Sequence, residues 1–185
     1  NPYGSPDPDG IYVINAAGKS LSIKWVRVVG TLVVINGGTG ANQTAISKEV
    51  NFEPAYANYP SLMVDGNVEI TITDFAFSES DRAINYNPAG TPWQGNTDSD
   101  QSDSYPSRMA GVIYCSSNLI IDGKNASNAC RINGVLICDG NLTLEKSAQP
   151  SIDLDVIPAG NPPPGFGVSS SGQITPGTWK RIASP

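Results

Sequence analysis

The chain has 185 residues, a formal charge of −6 and no histidine. That length supports one substantial core. The absent imidazole excludes Ser-His-Asp and Cys-His catalysis and His-ligated zinc from this chain's own residues, and the acidic balance opposes general attraction to nucleic-acid phosphates. With 19 Gly, 15 Pro and only 15% charged residues, the composition suits strands separated by tight turns and not long helices, so an all-β class is predicted.

In chain order, Ile11-Tyr-Val-Ile14 followed by Ser20-Leu-Ser-Ile23 reads as a degenerate first strand-turn-strand unit. A clearer copy starts at Arg27-Val-Val-Gly30 and continues to Ile35, with Asn36-Gly37 as its turn. Gly37 to Tyr59 carries a short Val50-Asn-Phe52 segment and completes one large coil. Leu62 to Ile72 keeps the turn and second strand but has Ala57 where the arginine falls in other copies. Phe75 to Pro106, rich in Asp, Ser and Asn, is expected to leave the stack as a side excursion. The two best copies follow. Arg108 to Ile121 and Arg131 to Leu144 align without a gap at a spacing of 23 residues, sharing Arg-x-x-Gly, three apolar positions, Cys, a two-residue turn and Asn-Leu.

A unit of that kind buries one face of each strand only if copies stack. The predicted fold is therefore a short, single-stranded parallel β-helix, right-handed, of about five coils. Leu21, Val68, Leu119 and Leu142 should form one interior ladder, and Ile23, Ile70, Ile121 and Leu144 its neighbour. Ile35 aligns with the cysteine position. The rival is a β-sandwich whose hairpins use the same Asx-Gly turns. The helix is expected over 1–158, with the insertion at about 75–106. The Pro/Gly-rich segment 159–185 is expected to cap an open end through Trp179 and Ile182.

Candidate chemistry is sparse. Cys115 and Cys138 share a repeat position and would stack as neighbours, either as a disulfide or as two small core hydrophobes, while Cys130 would face elsewhere and stay free. Three sulfurs without paired CxxC spacing do not suggest zinc or redox chemistry. Arg27, Arg108 and Arg131 share a position; they could contact an anion or acidic glycan, but surface side chains paired with acids such as Asp122 and Asp139, or covering corner backbone, are preferred. Asp65 and Asp139, or Asp153 with Asp155, could serve glycoside hydrolysis, but Asp at an Asx-Gly corner already has a conformational reason. Asp98-Ser-Asp100-Gln-Ser-Asp103 has the oxygen density of a calcium loop without the Gly and Glu of an EF-hand, so a solvated loop is expected. Trp25, Trp93 and Trp179 read as core or cap anchors before they read as sugar platforms. Asn42-Gln-Thr44, Asn125-Ala-Ser127 and Asn141-Leu-Thr143 fit the glycosylation triplet, a pattern that arises easily by chance in an Asn-rich chain. No catalytic, cofactor-binding or metal-binding residue is assigned.

No apolar run approaches the 18 to 20 or so residues of a membrane-spanning helix. The sequence begins at Asn1 without methionine and reads as a mature or trimmed soluble fragment, whose composition leans towards the cell exterior. The repeated Gly-Val-Ile/Leu-x-Cys-x-x-Asn-Leu units, followed by Pro-Pro-Pro-Gly-Phe166 and Pro-Gly-Thr-Trp-Lys-Arg181, resemble the soluble part of bacterial surface proteins associated with type IV pilus assembly. The resemblance covers residues 108 to 181 well and the first half weakly. It implies a β-helical exterior domain and transfers no catalytic residue. The expected function is a non-catalytic extracellular or cell-envelope structural or adhesive module, with other envelope or pilus proteins or polysaccharide as partners, no nucleic acid, and no membrane insertion by this stretch. The rivals are a carbohydrate-binding or carbohydrate-active β-helix and a polymer-forming scaffold.

Overall fold

Short alternating runs set the strands. Val68-Glu-Ile-Thr-Ile72 places Val68, Ile70 and Ile72 on the buried side and Glu69 and Thr71 outside, the period-2 pattern of a strand with one face in a core. The computed structural model describes residues 7–73, 75–123, 130–145, 148–154, 160–162 and 166. In chain order the strands are β1 (Ile11–Asn15), β2 (Leu21–Ile23), β3 (Val26–Val29), β4 (Thr31–Ile35), β5 (Thr44–Lys48), β6 (Val50–Glu53), β7 (Pro60–Val64), β8 (Val68–Ile72), β9 (Phe77–Ser78), β10 (Ser104–Tyr105), β11 (Arg108–Cys115), β12 (Leu119–Asp122), β13 (Arg131–Cys138), β14 (Leu142–Glu145) and β15 (Ser151–Asp153).

These strands form an all-β parallel solenoid with three faces. The first face stacks β1, β4, β7 and the C-terminal halves of β11 and β13. The second is a separate five-stranded sheet in the spatial order β14-β12-β8-β5-β2. The third stacks β3, β6, the N-terminal halves of β11 and β13, and β15. All pairings in these stacks are parallel; the lone antiparallel ribbon among the described strands, β9 with β10, belongs to the insertion. Leu119 faces Leu142 in parallel register, which rules out the sandwich.

Both ladders pair as expected, with one more rung than the repeats disclose, but their last rung is not interior: Leu142 and Leu144 are 51% and 55% exposed. Leu21, Thr44, Val68, Leu119 and Leu142 are successive partners, and so are Ile23, Ile46, Ile70, Ile121 and Leu144. Each fully buried aliphatic side chain contributes about 1.5–3 kcal/mol through removal from water. Two expected registers are corrected. Val34, not Ile35, stands in the cysteine column, because Val34 pairs Val64 and Val64 pairs Cys115; Val34 is buried and Ile35 is exposed. Asn51, not Ala57, sits in the arginine column, between Arg27 and Arg108.

The corners explain the repeat's fixed residues. The Gly of Arg-x-x-Gly turns the third face into the first, and a Cβ on Gly134 would lie 1.9 Å from the carbonyl oxygen of Gly111, a backbone atom with no room to give. At the next corner the Asn of Asn-Leu builds a side-chain ladder: Asn118 N–H donates to Asn67 Oδ1 at 3.1 Å and Asn141 N–H donates to Asn118 Oδ1 at 2.9 Å. These bonds satisfy corner backbone that no strand pairs. The expected cap residues Trp179 and Ile182 lie outside the described residues, as do most residues of 159–185.

Candidate recognition cleft on the side insertion

Residues 75–106 do leave the stack, and they carry a small core of their own. Phe77, Tyr86 and Tyr105 are buried together, with Trp25, Ile84 and Trp93 packed around them. Phe77 lies 4.4 Å from Tyr86 between ring centroids, and Trp93 meets Tyr105 edge-on at 5.1 Å, arrangements that suit aromatic quadrupoles. The β9–β10 ribbon closes the base.

Glu79 is wholly buried inside this unit. Its carboxylate accepts the Tyr105 hydroxyl at 2.7 Å and the N–H groups of Tyr86 at 2.6 Å and Asp103 at 3.1 Å. Three donors are what a buried carboxylate needs in order to remain in place. Burial, with Glu79 beside it, holds the Tyr105 hydroxyl far above the usual phenol range.

Arg27 fastens the insertion to the solenoid. Its side chain is only 2% exposed. It donates to the carbonyls of Tyr86, Thr91 and Pro92 at 2.7, 2.8 and 2.7 Å, and pairs with Glu53 at 3.6 Å. Arg108, two strands from Arg27 on the third face with Asn51 between them, meets the same carboxylate at 2.6 Å. The Arg27 guanidinium also lies 5.3 Å from the Trp93 ring and 5.4 Å from Tyr105, within cation–π range. Desolvation lowers the Arg27 pKa from its ordinary value, and Glu53 opposes that shift. For Arg27 and Arg108 the expected acid partners Asp122 and Asp139 are therefore corrected to Glu53, and Arg27 covers backbone as expected, though of the insertion and from a buried position. Arg131 remains exposed on the third face.

Where the insertion meets the corner between the second and third faces there is a cleft of about 220 Å³, lined by Trp25, Glu49, Phe75, Phe77, Asp81 and Arg82 among others. Trp25 occupies a left-handed backbone conformation, φ 52°, which costs an L-residue roughly 1–2 kcal/mol. Its indole N–H donates to Glu49 Oε2 at 2.9 Å, while Thr73 Oγ1 donates to Glu49 Oε1 at 2.9 Å. Arg82 lies 3.9 Å and Lys24 4.8 Å from the Trp25 ring centroid. Trp25 and Glu49 are thus the cleft's fixed wall, and Phe75, 60% exposed, with exposed Asp81 and Arg82, is its accessible rim.

The remaining sequence candidates are dispersed. Cys115 and Cys138 are direct register partners, yet both are free, as is Cys130; Sγ of Cys115 lies 3.4 Å from the Ser117 carbonyl and Sγ of Cys138 3.6 Å from that of Gly140. Burial pushes the Cys115 thiol up to about 11 and the Cys130 thiol up to about 12. Asp65 and Asp139 share a corner column but stand two strands apart, about 10 Å, and each accepts a hydroxyl, from Ser116 at 3.0 Å and Tyr114 at 2.7 Å. Asp153 is described and Asp155 is not. Trp93 packs in the insertion core, and Trp179 falls outside the described residues.

Asp98 to Asp103 folds back on itself through hydrogen bonds from Asp100 N–H to Asp98 Oδ1 and from Ser102 to Asp100 Oδ1. Among the described residues no three acidic or cysteine side chains are gathered to hold a metal ion, and no helix is long and apolar enough to cross a membrane. Sequence reasoning missed the cleft and the Arg27 clamp; the one signal for either was Arg27 itself, whose partners lie far along the chain. Comparison with family models, with curated proteins and with solved structures finds no match.

Proposed function

We propose that this chain is a non-catalytic structural or adhesive module of the cell exterior or envelope, in which the solenoid is the rigid support and the insertion is the surface that meets a partner. The observation that carries this reading is the clamp: Arg27 spends a nearly buried guanidinium on three carbonyls of the insertion. Such fixing of an excursion to a stiff scaffold is the usual arrangement for a recognition loop. Catalysis has little support, since Asp65, Asp139, Glu49 and Glu79 are each engaged by hydrogen-bond donors. Envelope or pilus proteins are the partners that the sequence resemblance favours. In the test, beads coated with the chain are passed over immobilised pili and over envelope polysaccharide. Retention that falls at least about tenfold in a Phe75→Ala/Arg82→Ala variant, equivalent to about 1.4 kcal/mol, supports the reading; no retention, or retention unchanged in the variant, overturns it.

A second reading is favoured by the cleft rim, where an exposed aromatic ring, a carboxylate and a guanidinium lie together as a hydroxyl-rich ligand requires. In that reading the partner is a carbohydrate bound without turnover. A glycan array separates the two: selective binding abolished by Phe75→Ala identifies the sugar, and an array without signal leaves the protein partner.

A further inference from the structure

The faces of the solenoid differ on their outer sides. On the second face the outward column reads Ser22, Ala45, Glu69, Ile120 and Thr143, and the third face carries Arg27, Asn51 and Arg108. On the first face Val13, Val33, Met63, Tyr114 and Ile137 are successive partners, an apolar column in strand segments that hold no charged residue. The column points to solvent: the flanking Leu62, Val64, Ile113 and Cys115 are buried, while Val13 is 60% exposed. An outward apolar stripe rimmed by polar residues marks a surface that another segment covers.

One residue already sits on it. The ring of half-buried Phe166 meets Tyr114 edge-on, with centroids 5.6 Å apart. We propose that the C-terminal segment 167–185, which lies outside the described residues, docks along this stripe, continuing from Phe166 over Met63 and Val33 towards Val13, and not over the open end of the stack.

Reach, composition and charge support this occupant. From Tyr114 to Val13 is three strand spacings, about 14 Å, which about five residues of extended chain cover. The segment supplies Val168, Ile174, Trp179 and Ile182 to the apolar column. Its only charged side chains are Lys180 and Arg181, whereas the corner that borders the stripe presents exposed Asp65 and Asp139, neither of which takes part in a described salt bridge. Asp139 is tied to the stripe already, accepting the Tyr114 hydroxyl at 2.7 Å. Exposed ion pairs contribute little energy, so burial of aromatic and aliphatic side chains supplies the hold and the charges favour this border. A second copy is the weaker occupant, because Phe166 of the same chain takes the Tyr114 position. This inference stands whether or not the cleft binds a partner.

Trypsin cuts after Lys180 and Arg181 when the segment is undocked, so the rate of that cut in the whole chain, located by mass spectrometry, reports docking. Met63→Asp and Val33→Asp should each speed it at least about tenfold, equivalent to about 1.4 kcal/mol. Methyl-labelled methionine gives two lines, from Met63 on the stripe and from Met109 buried in the core. An Ile174→Ser/Trp179→Ser variant should move the Met63 line and leave the Met109 line in place; an unmoved Met109 line in the aspartate variants shows that their stack is intact. Cutting of the parent as fast as of both aspartate variants, or a Met63 line indifferent to the Ile174→Ser/Trp179→Ser change, would overturn the proposal. So would a Met63 line that moves with protein concentration, which assigns the stripe to a second copy.

Discussion

The guanidinium of Arg27, on the first rung, lies 2.7 Å from the backbone carbonyl of Tyr86, which is 59 residues later in the chain. One side chain laid down early thus fixes the position of a segment made much later. Replacing it removes the donor that Arg27 gives to the Tyr86, Thr91 and Pro92 carbonyls and one of the two guanidinium partners of Glu53. Arg27→Ala should cost about 3–5 kcal/mol, and Arg27→Lys should recover less than half of that, because an ammonium cannot span three carbonyls in a plane. Urea unfolding, followed at Trp93, measures both.

The Gly134 corner should be intolerant in a way that glycines with open space around them are not. Gly134→Ala drives a Cβ into the Gly111 carbonyl and should cost upwards of about 4 kcal/mol, or prevent folding. Gly40, with φ 65° and open space around it, should lose only about 1–2 kcal/mol on mutation to Ala. Paired thermal melts of the two variants provide the comparison.

The asparagine ladder makes a smaller, graded contribution. Asn118→Ala removes the acceptor for Asn141 N–H and should cost about 1–2 kcal/mol. Hydrogen exchange should speed at Asn141 more than at Asn118, whose own N–H keeps Asn67 as its acceptor.

The cysteines report on burial through pH. Cys115 and Cys130 are raised from an ordinary value of 9.0 to about 11 and about 12. The folded state therefore favours the neutral thiols: their contribution to stability is complete below pH 9 and is lost as pH rises through the folded values. Unfolding free energy should fall between about pH 9 and pH 12 in the parent, and fall less steeply in Cys130→Ala. At pH 8, a thiol reagent should leave Cys115 and Cys130 unmodified until denaturant is added.

The stacking was legible because the Arg108 and Arg131 copies share every inward position, and their alignment is the register found. The copy at Arg27 was misread by one residue because its turn, Asn36-Gly37, was matched to Ser116-Ser117; a slip of one exchanges the faces, and Ile35 for Val34 is that exchange. The Thr44–Lys48 strand escaped because Thr44, polar and yet buried, interrupts an otherwise aliphatic ladder. The clamp and the cleft were not legible at all. Glu53, Trp25, Phe75 and Arg82 are each unremarkable in local sequence and acquire a role only when the insertion folds back over the third face.

The place where the insertion departs also sets an order of events. The second face of the third rung ends at Ile72, and the strand that continues that rung on the third face begins at Arg108. Emerging from a ribosome, the first two rungs have every segment they need before residue 75 appears, while the third stays open on one side until the whole excursion has been synthesised. Through that interval Arg27 and Glu53 wait as an uncovered charged seat on a finished surface. Closing the loop costs entropy that grows only slowly with its length, and residues 86–92 can seat on Arg27 only once the excursion has been made.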